Sequence, residues 1–124
     1  MDKKHKILII DDSQETVAGL KTILDRKYNT VTAYNGIDGL KAYENDRNGI
    51  DLIVTDLVMP TISGTTLINI IKNKYPKTPI IAITGWGNDP KALASEAKAD
   101  LLLDKPFEFD HLDQAITKLL EAKV

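Results

Sequence analysis

The chain has 124 residues, of which 43% are hydrophobic and 27% charged, as is typical of a single globular domain with a real core. Its 16 basic and 18 acidic residues give a formal net charge of -2, which argues against a nucleic-acid or anionic-membrane surface. The sequence contains no cysteine, so disulfides and thiolate chemistry are excluded. No apolar run approaches the roughly 18 residues of a membrane span, and we expect a cytoplasmic protein.

Short aliphatic runs alternate with segments of helical periodicity along the chain. The runs predict strands over 6–10, 29–34, 51–55, 79–84 and 100–103. Three of them are continuously aliphatic, as expected for parallel strands covered on both faces. Apolar residues at helical spacing predict helices over 17–24, 67–71 and 112–120, and the lysines at 72, 74 and 77 indicate a solvated helix end. Weaker patterns predict two more helices over 37–48 and 89–98, the second from its Ala-rich composition.

Five strands that alternate with five helices predict an α/β fold, namely one doubly wound five-stranded parallel sheet with right-handed crossovers. We assign residues 3–124 to a single domain, because no linker, repeat or low-complexity stretch interrupts the pattern. In open sheets of this kind, ligands bind outside the carboxyl ends of the strands. The residues that follow each strand are therefore the first candidates for a functional site.

Polar side chains stand at four of these strand ends. Asp11 and Asp12 follow the first predicted strand, Asp56 the third and Lys105 the fifth, while Thr84 ends the fourth. Asp56 is the most informative, because it interrupts the aliphatic stretch LIVTDLVMP. A carboxylate costs several kcal/mol to bury unless it is paired or bound to a cation. We expect these groups to converge at one edge of the sheet.

Each of these residues also has a purely structural interpretation. Asp12 could cap the first helix in a capping box with Glu15, Thr84 could be an ordinary β-branched strand residue, and Lys105 could be solvated. The joint pattern favours a site, because crowded carboxylates repel one another unless a cation joins them. Oxygen ligands favour Mg²⁺, which suits phosphoryl transfer, and an aspartate can be the nucleophile. Asp56 is therefore predicted to be phosphorylated.

With an acid pair after ILII, DLVMPTISG after the third strand, T-G after the fourth and DKPF after the fifth, the chain resembles the receiver domain of two-component response regulators. The resemblance covers essentially the whole chain and implies the flavodoxin-like strand order 2-1-3-4-5. It implies that Asp56 accepts a phosphoryl group from a sensor histidine kinase or a phosphotransfer protein. Met59, Pro60 and Gly64 would shape the loop that leads into the third helix.

The resemblance also implies a metal site. Mg²⁺, with Mn²⁺ as a substitute, would be ligated by Asp12, Asp56 and the backbone carbonyl of Val58. Asp11 would act mostly through a metal-bound water.

Three further expectations concern the phosphoryl group. Lys105 would pair with Asp56 and then with a phosphoryl oxygen, Thr84 would donate a hydrogen bond to another, and the Lys105-Pro106 peptide would be cis. Thr84 and the following Gly85 and Trp86 would move towards the phosphoryl group. That movement would reshape the face formed by the fourth helix, the fifth strand and the fifth helix, which would control a partner or an output domain.

The sequence departs from the family at two places near this site. Leu102 stands where Tyr or Phe is usual, so the coupling between the threonine and an aromatic rotamer does not carry over. Trp86 is the only tryptophan, and we hypothesise that it shields the acyl phosphate from water, with packing or a partner contact as the alternative.

Three other functions compete with that of a receiver. A haloacid-dehalogenase-like phosphatase needs a second aspartate two residues after its nucleophile, where this chain has Val58. A phosphorylation-independent, degenerate receiver would lack a key polar residue, and none is missing. A flavodoxin-like FMN binder would need a phosphate-cradling loop after the first strand. This chain has the acid pair Asp11 and Asp12 there, which would repel a phosphate not bridged by metal. We expect no enzyme beyond self-catalysed phosphorylation and dephosphorylation, no direct contact with nucleic acid, and a monomer or a phosphorylation-dependent homodimer.

Overall fold

The computed structural model describes residues 4–60, 62–85 and 98–122. Within these ranges the helices and strands are, in chain order, β1 (Lys6–Ile10), α1 (Gln14–Leu24), β2 (Asn29–Ala33), α2 (Gly36–Asn45), β3 (Leu52–Asp56), α3 (Gly64–Lys74), β4 (Ile80–Thr84), β5 (Leu101–Asp104) and α4 (Phe109–Ala122). All five predicted strands and four of the predicted helices are confirmed, with ends shifted by a few residues. The helix predicted over 89–98 falls almost entirely outside the described residues.

The five strands form one parallel sheet in the order β2-β1-β3-β4-β5, which confirms the expected topology. Its register pairs Ile10 with Thr55 and Thr84 with Asp104. The carboxyl ends of the four strands β1, β3, β4 and β5 therefore finish at the same edge. No described helix is long and apolar enough to cross a membrane.

The core lies on both sides of the three central strands, whose aliphatic side chains are almost completely buried. Successive side chains point to opposite faces of a strand. Leu8, Ile10 and Ile53 accordingly pack in one cluster with residues of α2 and α3. Ile7 and Ile9 pack in a second cluster with residues of α1 and α4. The continuous aliphatic runs in the sequence follow from this two-sided burial.

Helix α1 begins at Gln14, three residues before the first residue of the predicted helix and one residue later than a capping box at Asp12 would place it. Its N-cap is Ser13, whose hydroxyl accepts a hydrogen bond of 3.2 Å from the Thr16 amide. Asp11 supports this turn, because its Oδ1 accepts a 2.9 Å hydrogen bond from the Ser13 amide. The alternative in which Asp12 caps the helix in a capping box with Glu15 is therefore wrong. Asp12 instead lies exposed in the loop between β1 and α1, where its carboxylate has no capping role.

Gly64 begins α3 and lies against the backbone at the end of β3. Its amide donates a 2.9 Å hydrogen bond to the Leu57 carbonyl. A Cβ atom at this position would collide with the carbonyl oxygen of Asp56 and with the Cα of Leu57. The close approach fixes the loop that follows Asp56, and it confirms the expectation that Gly64 shapes this loop.

Candidate functional site

Three aspartates meet at the carboxyl edge of the sheet. Asp11 and Asp12 belong to the loop after β1, and Asp56 is the last residue of β3. One carboxylate oxygen of each lies within 4.8 Å of the others. Asp11 and Asp56 are buried, with exposed fractions of 2% and 8%, whereas Asp12 is exposed. The structure thus brings together the acids that the sequence places at separate strand ends, and we call these three residues the acid cluster.

Lys105 faces two members of the acid cluster. Its Nζ lies 3.5 Å from Asp11 Oδ2 and 3.7 Å from Asp56 Oδ2. The backbone of Lys105 is held by a 2.7 Å hydrogen bond from its amide to the Thr84 carbonyl. The Lys105-Pro106 peptide is cis, as expected. Among the described residues, one ammonium group therefore contacts two of the three carboxylates.

Burial raises the pKa of Asp56 above the ordinary value of 3.8, and the neighbouring Asp11 carboxylate raises it further. The Lys105 ammonium and the backbone amides of Val58 and Leu57 act in the opposite direction and do not fully offset the rise. The Val58 amide lies 3.4 Å from Asp56 Oδ1. The negative charge of Asp56 is therefore only partly compensated by the protein, and a further cation would favour the ionised form.

The acid cluster fits a hard divalent cation. Asp11 Oδ2 is buried and accepts no hydrogen bond from the described residues, so the lysine at 3.5 Å is the contact that balances it. The available donors are all oxygens, and one of the three acids is open to solvent. Mg²⁺ typically binds one or two carboxylates and keeps several waters. These residues therefore match the expected metal.

Thr84 is at the end of β4 and is only 3% exposed. Its hydroxyl donates a 2.7 Å hydrogen bond to Oδ1 of Asp104, the last residue of β5. The sequence patterns did not reveal this contact, although the DKPF segment contains Asp104. The sequence did contain a signal for it, namely a polar residue at the end of each of two strands that the expected order makes neighbours. The observed register pairs these two residues directly.

The remaining expected site residues surround this edge. Val58 is 73% exposed, and Leu102 on the edge strand β5 is 39% exposed. A methyl group built on Gly85 would lie 4.0 Å from Cδ of Lys105, so Gly85 borders the lysine stem. Pro106 is exposed beside it. Trp86 lies outside the described residues, and its shielding role stays a prediction.

The sequence matches the family model of the response regulator receiver domain over residues 7–117. It is 30% identical over 118 residues to the transcriptional regulatory protein CpxR of Escherichia coli (strain K12), covering 94% of this chain and 49% of CpxR. It is 28% identical over 117 residues to the sensor kinase CckA of Brucella abortus (strain 2308), covering 93% of this chain and 12% of CckA. The chain thus spans between an eighth and a half of the length of these relatives.

Solved structures of similar proteins show the same fold. A response regulator receiver domain protein from Clostridium thermocellum is 32% identical, with a TM-score of 0.89 and coverage of 96% of both chains. A CheY-like receiver domain protein from Methanospirillum hungatei JF-1 is 26% identical, with a TM-score of 0.90, covering 98% of this chain and 97% of the other. From its sequence, its strand order and these neighbours, the chain belongs to the family of response regulator receiver domains.

Proposed function

We propose that the chain is a phosphoacceptor that takes a phosphoryl group on Asp56 from a histidine kinase or a phosphotransfer protein, in a reaction that depends on Mg²⁺ or Mn²⁺. The observation that carries this proposal is the position of Asp56, buried within the acid cluster and 3.7 Å from the ammonium of Lys105. Such an arrangement has little structural value, because buried carboxylates close together destabilise the fold.

In the proposed reaction, a carboxylate oxygen of Asp56 attacks the phosphorus of the donor's phosphohistidine. The bond from phosphorus to the imidazole nitrogen breaks, and its electron pair leaves on the imidazole. The chain contributes position and charge, which is most of what phosphoryl transfer requires. The Val58 amide orients Asp56 Oδ1, and Lys105 on the side of Oδ2 is placed to bind a phosphoryl oxygen.

The proposed metal would be held by the acid cluster together with the backbone carbonyl of Val58. Bound there, it would neutralise charge on the phosphoryl oxygens during transfer. Asp56 and Asp12 would be direct ligands, and Asp11 would act through a water. Two observations support this assignment: the excess negative charge of the acid cluster, and Asp11 Oδ2, which accepts no hydrogen bond from the residues that the structure describes.

The proposed output is a conformational switch. Phosphorylation replaces one negative charge by about two and adds strong acceptor oxygens. Reversing a 1:99 equilibrium to 99:1 takes about 5.5 kcal/mol, whereas one charge-assisted hydrogen bond contributes about 1.5–3 kcal/mol. Thr84 alone is therefore not enough, and Lys105, the metal and loop repacking would contribute. The face that responds would include β5, α4 and the segment predicted as the fourth helix, and it would control a target protein or an output domain.

We further propose a cytoplasmic protein, a monomer or a phosphorylation-dependent homodimer, without direct nucleic-acid contact. CpxR is a transcriptional regulatory protein and CckA a sensor kinase, and in each the similarity to this chain covers only part of the length. Those relatives support a receiver that acts through another protein or domain.

The test is to add Mg²⁺ and then acetyl phosphate, and to follow the intact mass and the fluorescence of the single tryptophan. We expect one added phosphoryl group in the wild type, none in Asp56→Asn, and one in Asp110→Asn, which alters an exposed aspartate of α4. Modification that survives in Asp56→Asn would contradict the assignment of the acceptor. An unmodified wild type would favour the phosphorylation-independent interaction module instead, and sustained turnover of phosphomonoesters would favour a phosphatase.

A further inference from the structure

The hydroxyl of Thr84 is already engaged in this structure. It donates to Asp104 Oδ1 at 2.7 Å, an ordinary distance for a hydrogen bond from a hydroxyl to an oxygen. Thr84 is buried while Asp104 is exposed, so the bond connects an interior hydroxyl to a surface carboxylate. Asp104 is not one of the three residues of the acid cluster.

A threonine hydroxyl has one proton to donate. It can therefore serve Asp104 or a phosphoryl oxygen on Asp56, but not both at once. The backbone around it is fixed, because Thr84 and Asp104 are register partners and the Lys105 amide donates to the Thr84 carbonyl at 2.7 Å. The hydroxyl would therefore change acceptors by rotation of the Thr84 side chain, while β4 and β5 stay paired.

We propose that Asp104 is a positioning residue that holds the Thr84 hydroxyl in the unphosphorylated state and competes for it with the phosphoryl group. This inference rests on the proposed phosphorylation of Asp56. Adjacent residues then act in opposite directions: Lys105 attracts the incoming phosphoryl group, and Asp104 retains the hydroxyl that must reach it. Removing the Asp104 acceptor should make the switched state easier to reach.

The experiment measures the affinity for beryllofluoride, a phosphoryl mimic, at saturating Mg²⁺. We expect Asp104→Ala to bind about three- to tenfold more tightly than the wild type, since a competing charge-assisted bond is lost and only partly replaced by water. Asp104→Asn should lie between them, because its amide oxygen still accepts as a neutral group. Glu108→Gln removes an equivalent exposed charge four residues away, and it should change the affinity by less than about twofold.

A double-mutant cycle separates competition for the hydroxyl from general charge repulsion. In a Thr84→Val background, which keeps the branched shape and removes the hydroxyl, Asp104→Ala should no longer change the affinity. An equal gain with and without the hydroxyl would overturn the proposal. A second readout needs no ligand: the ¹³C shift of the Thr84 methyl group should change in Asp104→Ala, as its rotamer is released, and an unchanged shift would also count against the proposal.

The outcomes for the two proposals differ. Failure of the wild type to bind beryllofluoride, or equal binding by Asp56→Asn, would remove the proposed function itself. Binding that depends on Asp56 but is equal in the wild type and in both Asp104 variants would overturn only the proposal that Asp104 competes for the Thr84 hydroxyl. Urea unfolding of each variant shows whether it is folded, and the milder Asp104→Asn provides the decisive comparison if Asp104→Ala is not.

Discussion

At the scale of single residues, the most unusual feature is a buried carboxylate that the fold itself does not need. The raised pKa of Asp56 arises from burial first and from Asp11 second. A group whose pKa is higher in the folded state favours folding most when it is protonated, and that contribution is lost as the pH rises through the folded-state pKa. At neutral pH the ionised Asp56 therefore destabilises the metal-free protein.

We predict that Asp56→Asn is more stable than the wild type at pH 7 without divalent metal. The gap should open as the pH rises above 3.8, the ordinary aspartate pKa, and close again below it. Urea unfolding in EDTA across this range measures it. Asp110→Asn, on an exposed position, should show no comparable gap. Equal stability of the wild type and Asp56→Asn at pH 7 would contradict the prediction.

The sequence was sufficient to bring the acid cluster and Lys105 to one edge of the sheet, but not to predict all of their contacts. Strand ends can be located from aliphatic runs, so Asp11, Asp56 and Lys105 could be placed at one edge. Whether Asp12 or Ser13 caps α1 depends on the residue at which the helix begins. The spacing of apolar residues does not locate a helix end to within one residue. The bond from Thr84 to Asp104 joins residues 20 apart in sequence; their polar character was visible, but the register of β4 and β5 that pairs them was not.

At the scale of elements, the junction between β3 and α3 determines where Asp56 is held. Gly64 is the contact point, because a side chain there would meet the backbone of Asp56 and Leu57 rather than a movable side chain. Any larger residue must therefore push the acceptor's own backbone. The stability of this junction and the geometry of the site are coupled through one position.

We predict that Gly64→Ala lowers the free energy of unfolding by about 1–3 kcal/mol, as overpacking in a fixed backbone does, and also weakens beryllofluoride binding. Gly19→Ala is the matched control, because no atom lies within 4 Å of a Cβ built at this exposed site in α1. It should stabilise the protein by about 0.5–1 kcal/mol through helix propensity and leave binding unchanged. A Gly64→Ala protein as stable as the wild type would show that the junction adapts.

Lys72, in the last turn of α3, shows where prediction from the sequence fails at this scale. Lys72 was expected to be solvated, and this is wrong, because its side chain is only 13% exposed. Its Nζ lies 2.7 Å from both Asp100 Oδ2 and the Thr78 carbonyl, and the same Asp100 oxygen accepts a 2.8 Å bond from the Ile80 amide. The partner is 28 residues away in sequence, so local periodicity could not reveal a lysine that ties α3 to the starts of β4 and β5.

At the scale of the whole molecule, the alternation of strands and helices carried most of the information. Continuous aliphatic runs predicted two-sided burial, and the observed sheet follows directly from it. The strand order itself came from the resemblance, since periodicity does not specify which strands are neighbours. This order matters for function, because placing β1 next to β3 puts Asp11 beside Asp56.

The stability of the whole domain should therefore respond to metal through the acid cluster. A ligand that binds only the folded state stabilises it by about 2.7 kcal/mol when its concentration is one hundred times the dissociation constant. We predict that Mg²⁺ raises the midpoint of thermal unfolding of the wild type, and that Asp12→Asn and Asp56→Asn lose most of this gain. The two variants test the metal ligands without any phosphoryl donor.

Lys105→Met should distinguish metal binding, which we assign to the acids, from binding of the phosphoryl group, which we assign in part to the lysine. Without the ammonium, Asp11 and Asp56 are left as a buried pair without a cation, so the metal-free variant should be less stable than the wild type by about 1–3 kcal/mol. Mg²⁺ should stabilise this variant at least as much as the wild type, because Lys105 is the one cation among the described residues that contacts Asp11 and Asp56. Beryllofluoride affinity should nevertheless fall about tenfold or more, since a charge-assisted bond to the phosphoryl mimic is lost.

Lys118→Met, on an exposed position of α4, should behave as the wild type in both measurements. Loss of the Mg²⁺ effect in Lys105→Met would mean that the lysine organises the acid cluster, and the division of roles between acids and lysine would then be wrong.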